Sequence, residues 1–331
     1  MKRLNNLFEK ICSIDNLVEA DRKARRGKRD SYGVRIHDLN RAENIRKLHE
    51  SLLSGSFRTS EYSVFTILEP KERVIYRLPY YPDRIVHHAI MNVMEPVWLS
   101  VFTADTYSCI KGRGIHAAAK KLKRALREDP EGTRYCLKLD IRKFYPSIDH
   151  SVMKAIVRRK VKDKRLLALL DGIIDSATGV PIGNYLSQYF ANLVLAYFDH
   201  WVKEEKRVKH YFRYADDMVI LGGSKEELHA LLPEIRAYLS GLKLEVKGNW
   251  QVFPVEARGI DFLGYVFYHT HTRLRKSIKK RMFRKAGRLK ESSPDRVKPH
   301  LAAWWGWMKH ADCRNLSRKL LNRFEYEIKF N

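Results

Sequence analysis

The segment Tyr211–Leu221, YFRYADDMVIL, constrains the fold of this chain more than any other part of its sequence. Apolar residues precede Asp216 and Asp217 and follow them, which predicts a β-hairpin with two adjacent carboxylates at its tip. Buried carboxylates are costly unless cations lie beside them. A turn that serves geometry alone would more often carry Asn-Gly or Asp-Gly, because glycine adopts positive φ. The segment therefore indicates a cation site, with an ordinary turn as the alternative.

A third carboxylate follows another apolar strand, in CLKLDIRKFYPSIDH. Cys136–Leu139 delivers Asp140 to the C-terminal end of that strand. Asp140, Asp216 and Asp217 together are suited to hold two Mg²⁺ ions about 3.5–4 Å apart, with Mn²⁺ as an alternative ion. Ile141, next in the chain, is included among the predicted metal ligands. Asp149 is better explained as the N-cap of the following helix.

The charge of the 331-residue chain points to a polyanionic partner. Lys and Arg number 64 against 38 Asp and Glu, a net charge of +26. Phosphate backbones are the usual counterpart of such a surface. An anionic membrane surface is the competing explanation, but it normally requires an amphipathic basic helix with an exposed apolar face. No run of about 18 apolar residues suggests a membrane span, so we expect no membrane partner.

The compartment is inferred from the N-terminus and the cysteines. The first ten residues, MKRLNNLFEK, lack the apolar run of a secretory signal. The four cysteines are far apart and include no CxxC pair, which argues against zinc and against a disulfide framework. We therefore expect free thiols and a cytoplasmic protein.

The distribution of helix and strand signals predicts the α+β class, a sheet layered on helices. Residues 1–58 and the last 60 or so residues are predicted to be mostly helical. Between them we predict strands at Tyr62–Leu68, Arg73–Leu78, Tyr135–Ile141 and Leu242–Val246, hairpins at Tyr211–Leu221 and about Trp250–Tyr268, and helices at about Asp83–Val93, His150–Lys160, Tyr185–Trp201 and Lys225–Leu239.

The tetrapeptide YADD (Tyr214–Asp217) and the segment LDIRKFYPSID around Asp140 resemble the signature motifs of the reverse transcriptase family, and the resemblance covers roughly residues 60–270. It implies a right-hand polymerase with fingers, palm and thumb, in which an antiparallel palm sheet packs on helices and the thumb is helical and basic. The implied domains are 1–58 (N-terminal helical basic extension), 59–134 (fingers with part of the palm), 135–268 (palm with the catalytic motifs) and 269–331 (thumb). The three aspartates would be catalytic, in an RNA-directed DNA polymerase.

The resemblance also assigns residues that would contact the incoming nucleotide. Tyr145, five residues after Asp140, occupies the position of the family's steric gate, where a bulky ring would exclude a ribose 2′-hydroxyl; a core aromatic is the alternative. Arg73 aligns with a triphosphate-binding arginine, with Arg77 or Lys71 assisting, because guanidinium matches phosphate oxygens. A solvated hairpin charge is the alternative for Arg73.

A second motif departs from the common family pattern. VPIGNYLSQYFAN has Ile182 where Gln is expected and Ser187-Gln188 where Ser-Pro is common, a variant similar to the enzymes of diversity-generating retroelements. Ile182 and Gln188 are counted with the nucleotide site, as is Gly183, which allows close backbone approach. An apolar residue cannot hydrogen-bond the sugar or the template. A mispaired nucleotide therefore loses less binding free energy, relative to a correct pair, than it would with Gln at this position. We therefore expect low fidelity, and the resemblance to diversity-generating retroelements implies that the errors fall chiefly opposite template adenines.

Two later segments complete the resemblance. Lys247 is the candidate to protonate pyrophosphate, although Asn249 is nearer the expected position and a plain surface charge explains Lys247 equally well. GIDFLGYVF (Gly259–Phe267) looks like the hairpin that seats the primer terminus.

Basic residues at both ends of the chain are candidates for nucleic-acid contact. In the N-terminal cluster, a phosphate-contacting arm and a solvated helix are equal alternatives; in the thumb, one basic helix face would follow an RNA–DNA hybrid. Tryptophans 304, 305 and 307 favour thumb core over base stacking. The predicted contacts are Arg25, Arg26, Lys28, Lys276, Lys279, Lys280 and Arg284.

Several functions fit these patterns. The first is an error-prone reverse transcriptase of a diversity-generating retroelement, whose partners would be a structured template RNA, the primer and cDNA, dNTPs and a small basic oligomeric accessory protein. Antiphage-defence, retron-type or group II intron-like reverse transcriptases are alternatives. A non-catalytic RNA-binding scaffold is a different class, for which loss of a metal aspartate would be the expected mark; all three are present.

Overall fold

The computed structural model describes residues 3–68 and 72–324. Its helices, in chain order, are α1 (Phe8–Cys12), α2 (Ile14–Ala24), α3 (Tyr32–Leu39), α4 (Arg41–Leu53), α5 (Ile85–Leu99), α6 (Ile115–Glu128), α7 (Phe144–Ser147), α8 (His150–Arg158), α9 (Lys164–Ile174), α10 (Tyr185–Val194), α11 (Ala196–His200), α12 (Lys225–Gly241), α13 (Val255–Arg258), α14 (Lys276–Leu289), α15 (Pro294–Met308) and α16 (Arg314–Leu321). Its strands are β1 (Ser63–Ile67), β2 (Arg73–Arg77), β3 (Thr106–Tyr107), β4 (Tyr135–Asp140), β5 (His210–Tyr214), β6 (Asp217–Gly222), β7 (Gln251–Pro254), β8 (Ile260–Phe262), β9 (Tyr265–Phe267) and β10 (Thr272–Leu274).

The chain divides into two compact units. The first comprises residues 1–104, 141–206 and 236–246, and the second comprises 105–140, 207–235 and 247–331. The four-part division into extension, fingers, palm and thumb stays a prediction. None of the helices in the described ranges has the length and apolar character needed to span a bilayer.

The second unit is built on a five-stranded sheet in the order β3-β5-β6-β4-β7. All neighbouring strands are antiparallel except β3 and β5, which pair in parallel at one edge. Its core includes Cys136, Phe212 and Val219 from the sheet together with Ala118 and Leu122 from α6, all at most 1% exposed. A smaller antiparallel sheet, β10-β9-β8, and helices α14–α16 share this core. The predicted α+β class with an antiparallel sheet on helices and a helical C-terminal segment is confirmed.

In the first unit, α2 packs against α5, and α2 also carries a buried carboxylate, that of Asp21. The side chain of Asp21 is fully buried, and it accepts hydrogen bonds from Tyr80 Oη at 2.5 Å, Arg25 Nη2 at 2.7 Å and Arg41 Nε at 2.7 Å. Burial opposes ionisation of Asp21, but these hydrogen bonds outweigh it and lower its pKa. His37, also buried, lies 3.6 Å from the same carboxylate.

Several local predictions are confirmed. The β1–β2 hairpin is present, with Ile67 paired to Arg73. Asp149 caps α8 by accepting a hydrogen bond from the amide of Val152 at 3.1 Å. The four cysteines are free thiols, and only Cys109 is exposed.

Two strand predictions were wrong. Leu242–Val246 is not a strand: Lys243 adopts a left-handed φ of 57°, and the segment makes only an isolated bridge between Val246 and Ile141. The hairpin expected over Trp250–Tyr268 is shorter, because β7 pairs with β4 in the main sheet and α13 follows it. The hairpin itself is β8–β9, which joins Phe262 to Tyr265.

Candidate active site

The Asp216–Asp217 pair lies on the tight turn between β5 and β6. Tyr214 pairs with Asp217, so Ala215 and Asp216 form a two-residue loop. Ala215 has φ 55°, a left-handed conformation that costs a residue with a Cβ about 1–2 kcal/mol. Arg213, fully buried, donates from Nη1 to the carbonyl oxygen of Ala215 at 3.0 Å. The guanidinium group of Arg213 thus supports the backbone of the turn through a hydrogen bond.

Asp140 lies beside this turn. Strands β4 and β6 pair so that Asp140 is directly opposite Asp217, a position where Cβ atoms are roughly 4.5–5.5 Å apart. Oδ1 of Asp140 is buried and has no hydrogen-bond partner within the described part of the chain. The structure therefore brings together the three carboxylates that the sequence placed in distant segments.

The electrostatics of the trio disfavour three negative charges. Burial raises the pKa of Asp216, and the neighbouring charge of Asp140, together with a hydrogen bond between the two carboxyl groups, raises it further. Burial likewise raises the pKa of Asp217, although Lys138 opposes this shift. Carboxylates that are pushed toward protonation are groups that an added cation would stabilise.

One lysine partly neutralises the trio. Nζ of Lys138 lies 3.0 Å from Oδ1 of Asp217 and donates to the carbonyl oxygen of Asp261 at 2.5 Å. It also lies 5.3 Å from the centre of the Phe262 ring. Arg275 pairs with the Asp261 side chain at 2.5 Å. The ammonium group of Lys138 thus contacts one of the three carboxylates directly, that of Asp217.

The donor set fits a divalent cation in chemistry. Within residues 3–68 and 72–324, no three His, Cys, Asp or Glu side chains converge as a ready-made metal cluster. Oδ1 of Asp140 is nevertheless buried without a partner among the described residues, and the pKa of Asp216 is raised. A cation placed beside these carboxylates would therefore stabilise their ionised forms. Carboxylate oxygens are the ligands that Mg²⁺ prefers.

Two further predicted residues adjoin Asp140. The backbone amide of Lys247 donates to the carbonyl oxygen of Asp140 at 2.8 Å, and the Lys247 side chain is exposed. Ile141 is buried and bridges to Val246 in the first unit. A role for Ile141 in metal binding would have to use its backbone carbonyl, and this stays a prediction.

The first unit contains the other predicted nucleotide contacts, and its backbone brings two of them to β2. The carbonyl oxygen of Ile182 accepts a hydrogen bond from the amide of Tyr76 at 2.8 Å. A Cβ on Gly183, whose φ is 126°, would lie 2.5 Å from the carbonyl oxygen of Tyr76. Gly183 is therefore required for the approach of β2. Arg73, on the same strand, is exposed, whereas Lys71 lies outside the described residues.

The backbone of Tyr145 packs closely against the segment that contains Gly179 and Val180, also within the first unit. Its carbonyl oxygen accepts a hydrogen bond from the amide of Val180 at 2.8 Å, and a Cβ on Gly179 would lie 2.5 Å from that oxygen. The half-buried Tyr145 ring packs edge-on against Phe144. Gln188 is exposed on α10. The nucleotide-binding roles of these residues stay predictions.

The basic candidates differ in how free their charges are. Arg25 is bound within the chain to Asp21 and Asp38, while Arg26 and Lys28 are exposed. On α14, residues Lys276, Lys280 and Arg284 are exposed at four-residue spacing and Lys279 is half-buried, while Met282, Ala286 and Leu289 are buried. The helix thus presents a basic face. Trp304 is buried in the core and Trp307 is partly buried against it, as predicted, whereas Trp305 is exposed and does not fit the predicted core position.

Sequence reasoning missed Lys138 and Arg213 as site residues. Lys138 precedes Asp140 by two positions, so the alternation of a strand places both on one face, and that signal was available. Arg213 gave a weaker signal, as a charged residue within an apolar strand. The adjacent histidines on α5 contribute to packing: His87 is buried, and the ring of His88 stacks on that of Tyr185 with 4.5 Å between the ring centres.

The sequence profile of the family "Reverse transcriptase (RNA-dependent DNA polymerase)" matches residues 69–267, more than half of the chain. The matched segment includes Asp140 and the turn that carries Asp216 and Asp217. The chain belongs to the reverse transcriptase family.

Individual relatives point to the same family. The chain is similar to Protein YkfC of Escherichia coli K12, with 28% identity over 272 residues that cover 68% of this chain and 71% of that protein. It is also similar to the group II intron-encoded protein LtrA of Lactococcus lactis, with 21% identity over 299 residues covering 67% of this chain and 49% of LtrA.

Among solved structures, telomerase from Candida albicans in complex with a fragment of telomeric RNA aligns with a TM-score of 0.49 and 12% identity, covering 72% of this chain and 54% of that one. This likeness is too weak to support the fold assignment, which rests on the sheet and the family match. The chain spans about half the length of LtrA and of the telomerase chain.

Proposed function

We propose that this protein is an active RNA-directed DNA polymerase that synthesises cDNA on a structured template RNA. The observation that carries the proposal is the meeting of Asp140, Asp216 and Asp217 at one turn, with an unpartnered buried oxygen on Asp140. A net charge of +26 supports a nucleic-acid partner. A scaffold without catalysis would gain nothing from retaining three carboxylates that destabilise one another.

The three aspartates would hold two Mg²⁺ ions. When bound, such ions supply charge neutralisation and activation of the primer hydroxyl. The chain's own contribution is to fix the ligands: the strained Ala215 and the buried Arg213 set the turn, and Lys138 orients Asp217. Ligands that are already fixed need not reorganise during the reaction. This preorganisation is the main source of electrostatic catalysis.

Nucleotide selection would fall to the residues of the first unit. Tyr145 would exclude the 2′-hydroxyl, Arg73 would contact the triphosphate, and Gln188 would line the pocket. The close packing of Gly183 against Tyr76 supports a fixed position for Ile182 relative to β2. Exposed Lys276, Lys280 and Arg284 on α14 would contact the phosphates of the RNA–DNA hybrid.

The variant VPIG motif supports an error-prone enzyme of a diversity-generating retroelement, working with a small basic accessory protein. Ile182 is half-buried and its side chain offers no hydrogen bond. Sequencing cDNA made by Ile182→Gln should show fewer errors opposite template adenines than wild type, while Ile36→Gln, an exposed control on α3, should not change them. Unchanged errors in Ile182→Gln would remove this residue from the explanation.

A group II intron-like reverse transcriptase is the second candidate, because LtrA, an intron-encoded protein, is among the similar proteins. The two candidates differ in their RNA. Tight binding of an intron RNA combined with accurate copying of adenines would favour the second, whereas adenine-specific error favours the first.

Primer extension tests the enzymatic proposal itself. The wild-type chain, an RNA template, a DNA primer, dNTPs and Mg²⁺ should yield extended product, and Asp140→Asn should not. Asp149→Asn is the matched control, since this carboxylate of the same segment caps a helix. Equal extension by wild type and Asp140→Asn would contradict the proposal.

A further inference from the structure

The first unit contains a cavity whose lining includes none of the residues assigned above to catalysis or nucleotide binding. It lies between α9 and the segment that follows α4, and its volume is about 390 Å³. Ligand sites in proteins have volumes of roughly 300–1,000 Å³ and combine apolar walls with a few polar groups. Six of its lining residues matter here: Phe8, Phe57, Arg58, Thr59, Arg165 and Gly172.

One wall is a flat cationic platform. The guanidinium of Arg165 lies 4.2 Å from the centre of the Phe8 ring. Its Nη1 donates to Oε1 of Glu9 at 2.5 Å, and its Nη2 donates to the carbonyl oxygen of Leu53 at 2.6 Å. The Arg165 side chain is nevertheless 49% exposed. A guanidinium that is fixed on one face and accessible to solvent is a stacking surface for a nucleobase.

Polar groups complete the lining. Oγ1 of Thr59 is buried and has no hydrogen-bond partner among the described residues, which is costly unless a ligand supplies one. Arg58 is exposed, and its hydrogen bonds within the described chain, to the carbonyl oxygens of Gly55 and Phe57, use only Nη1. Its remaining donors suit a phosphate.

The α9 side of the cavity is open. A Cβ built on Gly172 would meet no atom within 4 Å, although a helix interior normally disfavours glycine by about 1 kcal/mol relative to alanine. Adding a side chain there would therefore fill the cavity without displacing the protein.

We propose that this cavity binds one unpaired nucleotide of the template RNA. Its base would stack on the Arg165–Phe8 platform, Thr59 Oγ1 would hydrogen-bond the base edge, and Arg58 would contact the phosphate. The proposal rests on the proposed function in taking RNA as the partner. RNA is favoured over a protein side chain because the platform is planar and cationic, and because single-stranded bases are recognised by such stacking.

The experiment uses ultraviolet crosslinking of the full chain to single-stranded RNA carrying one 4-thiouridine, followed by peptide mapping. We expect crosslinks in residues 52–59 or 165–172 of the wild type. Gly172→Leu should reduce them at least fivefold, whereas Gly241→Leu should not, since position 241 is another helical glycine with open space at its Cβ and lies outside the cavity.

Primer extension on an unstructured template separates this proposal from the polymerase proposal. Gly172→Leu should extend as wild type does, so loss of crosslinks with retained extension supports the cavity site. Thr59→Val, a nearly isosteric change, provides a second variant, and thermal melts confirm folding. Absence of crosslinks from both segments, or equal crosslinks in Gly172→Leu and Gly241→Leu, would overturn the RNA site.

Discussion

Asp21 is buried in the first unit of the chain, and Asp216 is half-buried in the second. The charged groups around Asp21 are positive, whereas those around Asp216 are negative. Asp21 is balanced by two guanidinium groups and a tyrosine hydroxyl, and its pKa is lowered. Asp216 faces two further carboxylates, and its pKa is raised. The protein places cationic side chains beside Asp21 and further carboxylates beside Asp216. The first arrangement stabilises the carboxylate within the protein, and the second leaves a carboxylate that an added cation would stabilise.

The largest expected effect is on catalysis at the unbalanced carboxylate. Asp216→Asn should reduce primer extension by about 10²–10³-fold or more, as loss of preorganised charge does in other enzymes. The same variant should melt no lower than wild type, because it removes a repulsion. Single-turnover extension and a thermal melt measure the two effects, and a large loss of stability would break the comparison.

The next effect concerns the balanced carboxylate. Asp21→Ala should lower the free energy of unfolding by about 3–5 kcal/mol, because it leaves the paired cations without their buried partner. Asp38→Ala, which removes the exposed partner of Arg25, should cost at most about 1 kcal/mol. Urea titration measures both, and equal losses would show that burial of Asp21 is not decisive.

Divalent cation should stabilise only the unbalanced region. Mg²⁺ at about 100 times its Kd should add roughly 2.7 kcal/mol to the free energy of unfolding of the wild type. Asp140→Asn should lose most of this gain, and Asp149→Asn should keep it. Melts with Mg²⁺ and with EDTA provide the measurement; a gain that survives in Asp140→Asn would place the ion elsewhere.

The smallest effect is a difference in pH dependence without added metal. A lowered pKa contributes stability that is lost as pH falls through it, so the advantage of wild type over Asp21→Asn should shrink in acid. A raised pKa has the opposite consequence: wild type should lose stability relative to Asp216→Asn as pH rises from about 4 to about 7, between the ordinary carboxyl pKa and the raised pKa of Asp216. Parallel curves for the two pairs would contradict the opposite pKa shifts.

The sequence predicted the acidic turn because its signal is local. Alternating apolar residues define the strands around Asp216 and Asp217, and the helix cap at Asp149 depends on residues three positions apart. By contrast, the support from Arg213 depends on burial by the rest of the unit. The false strand at Leu242–Val246 has strand-like composition, but the left-handed turn at Lys243 and the position of the neighbouring backbone decide its conformation. Helix α6 was not predicted, although Ala118, Leu122 and Ala125 recur at helical spacing and form its buried face.

The left-handed alanine at the acidic turn has a consequence for precision. A residue with a Cβ can occupy only a small part of the positive-φ region, whereas glycine can occupy most of it. Ala215 therefore narrows the range of torsion angles that the tip of the hairpin can sample. The positions available to the carboxylates of Asp216 and Asp217, which follow it, are restricted in turn. A single methyl group thereby limits how far the carboxylates of Asp216 and Asp217 can shift relative to the strands that carry them.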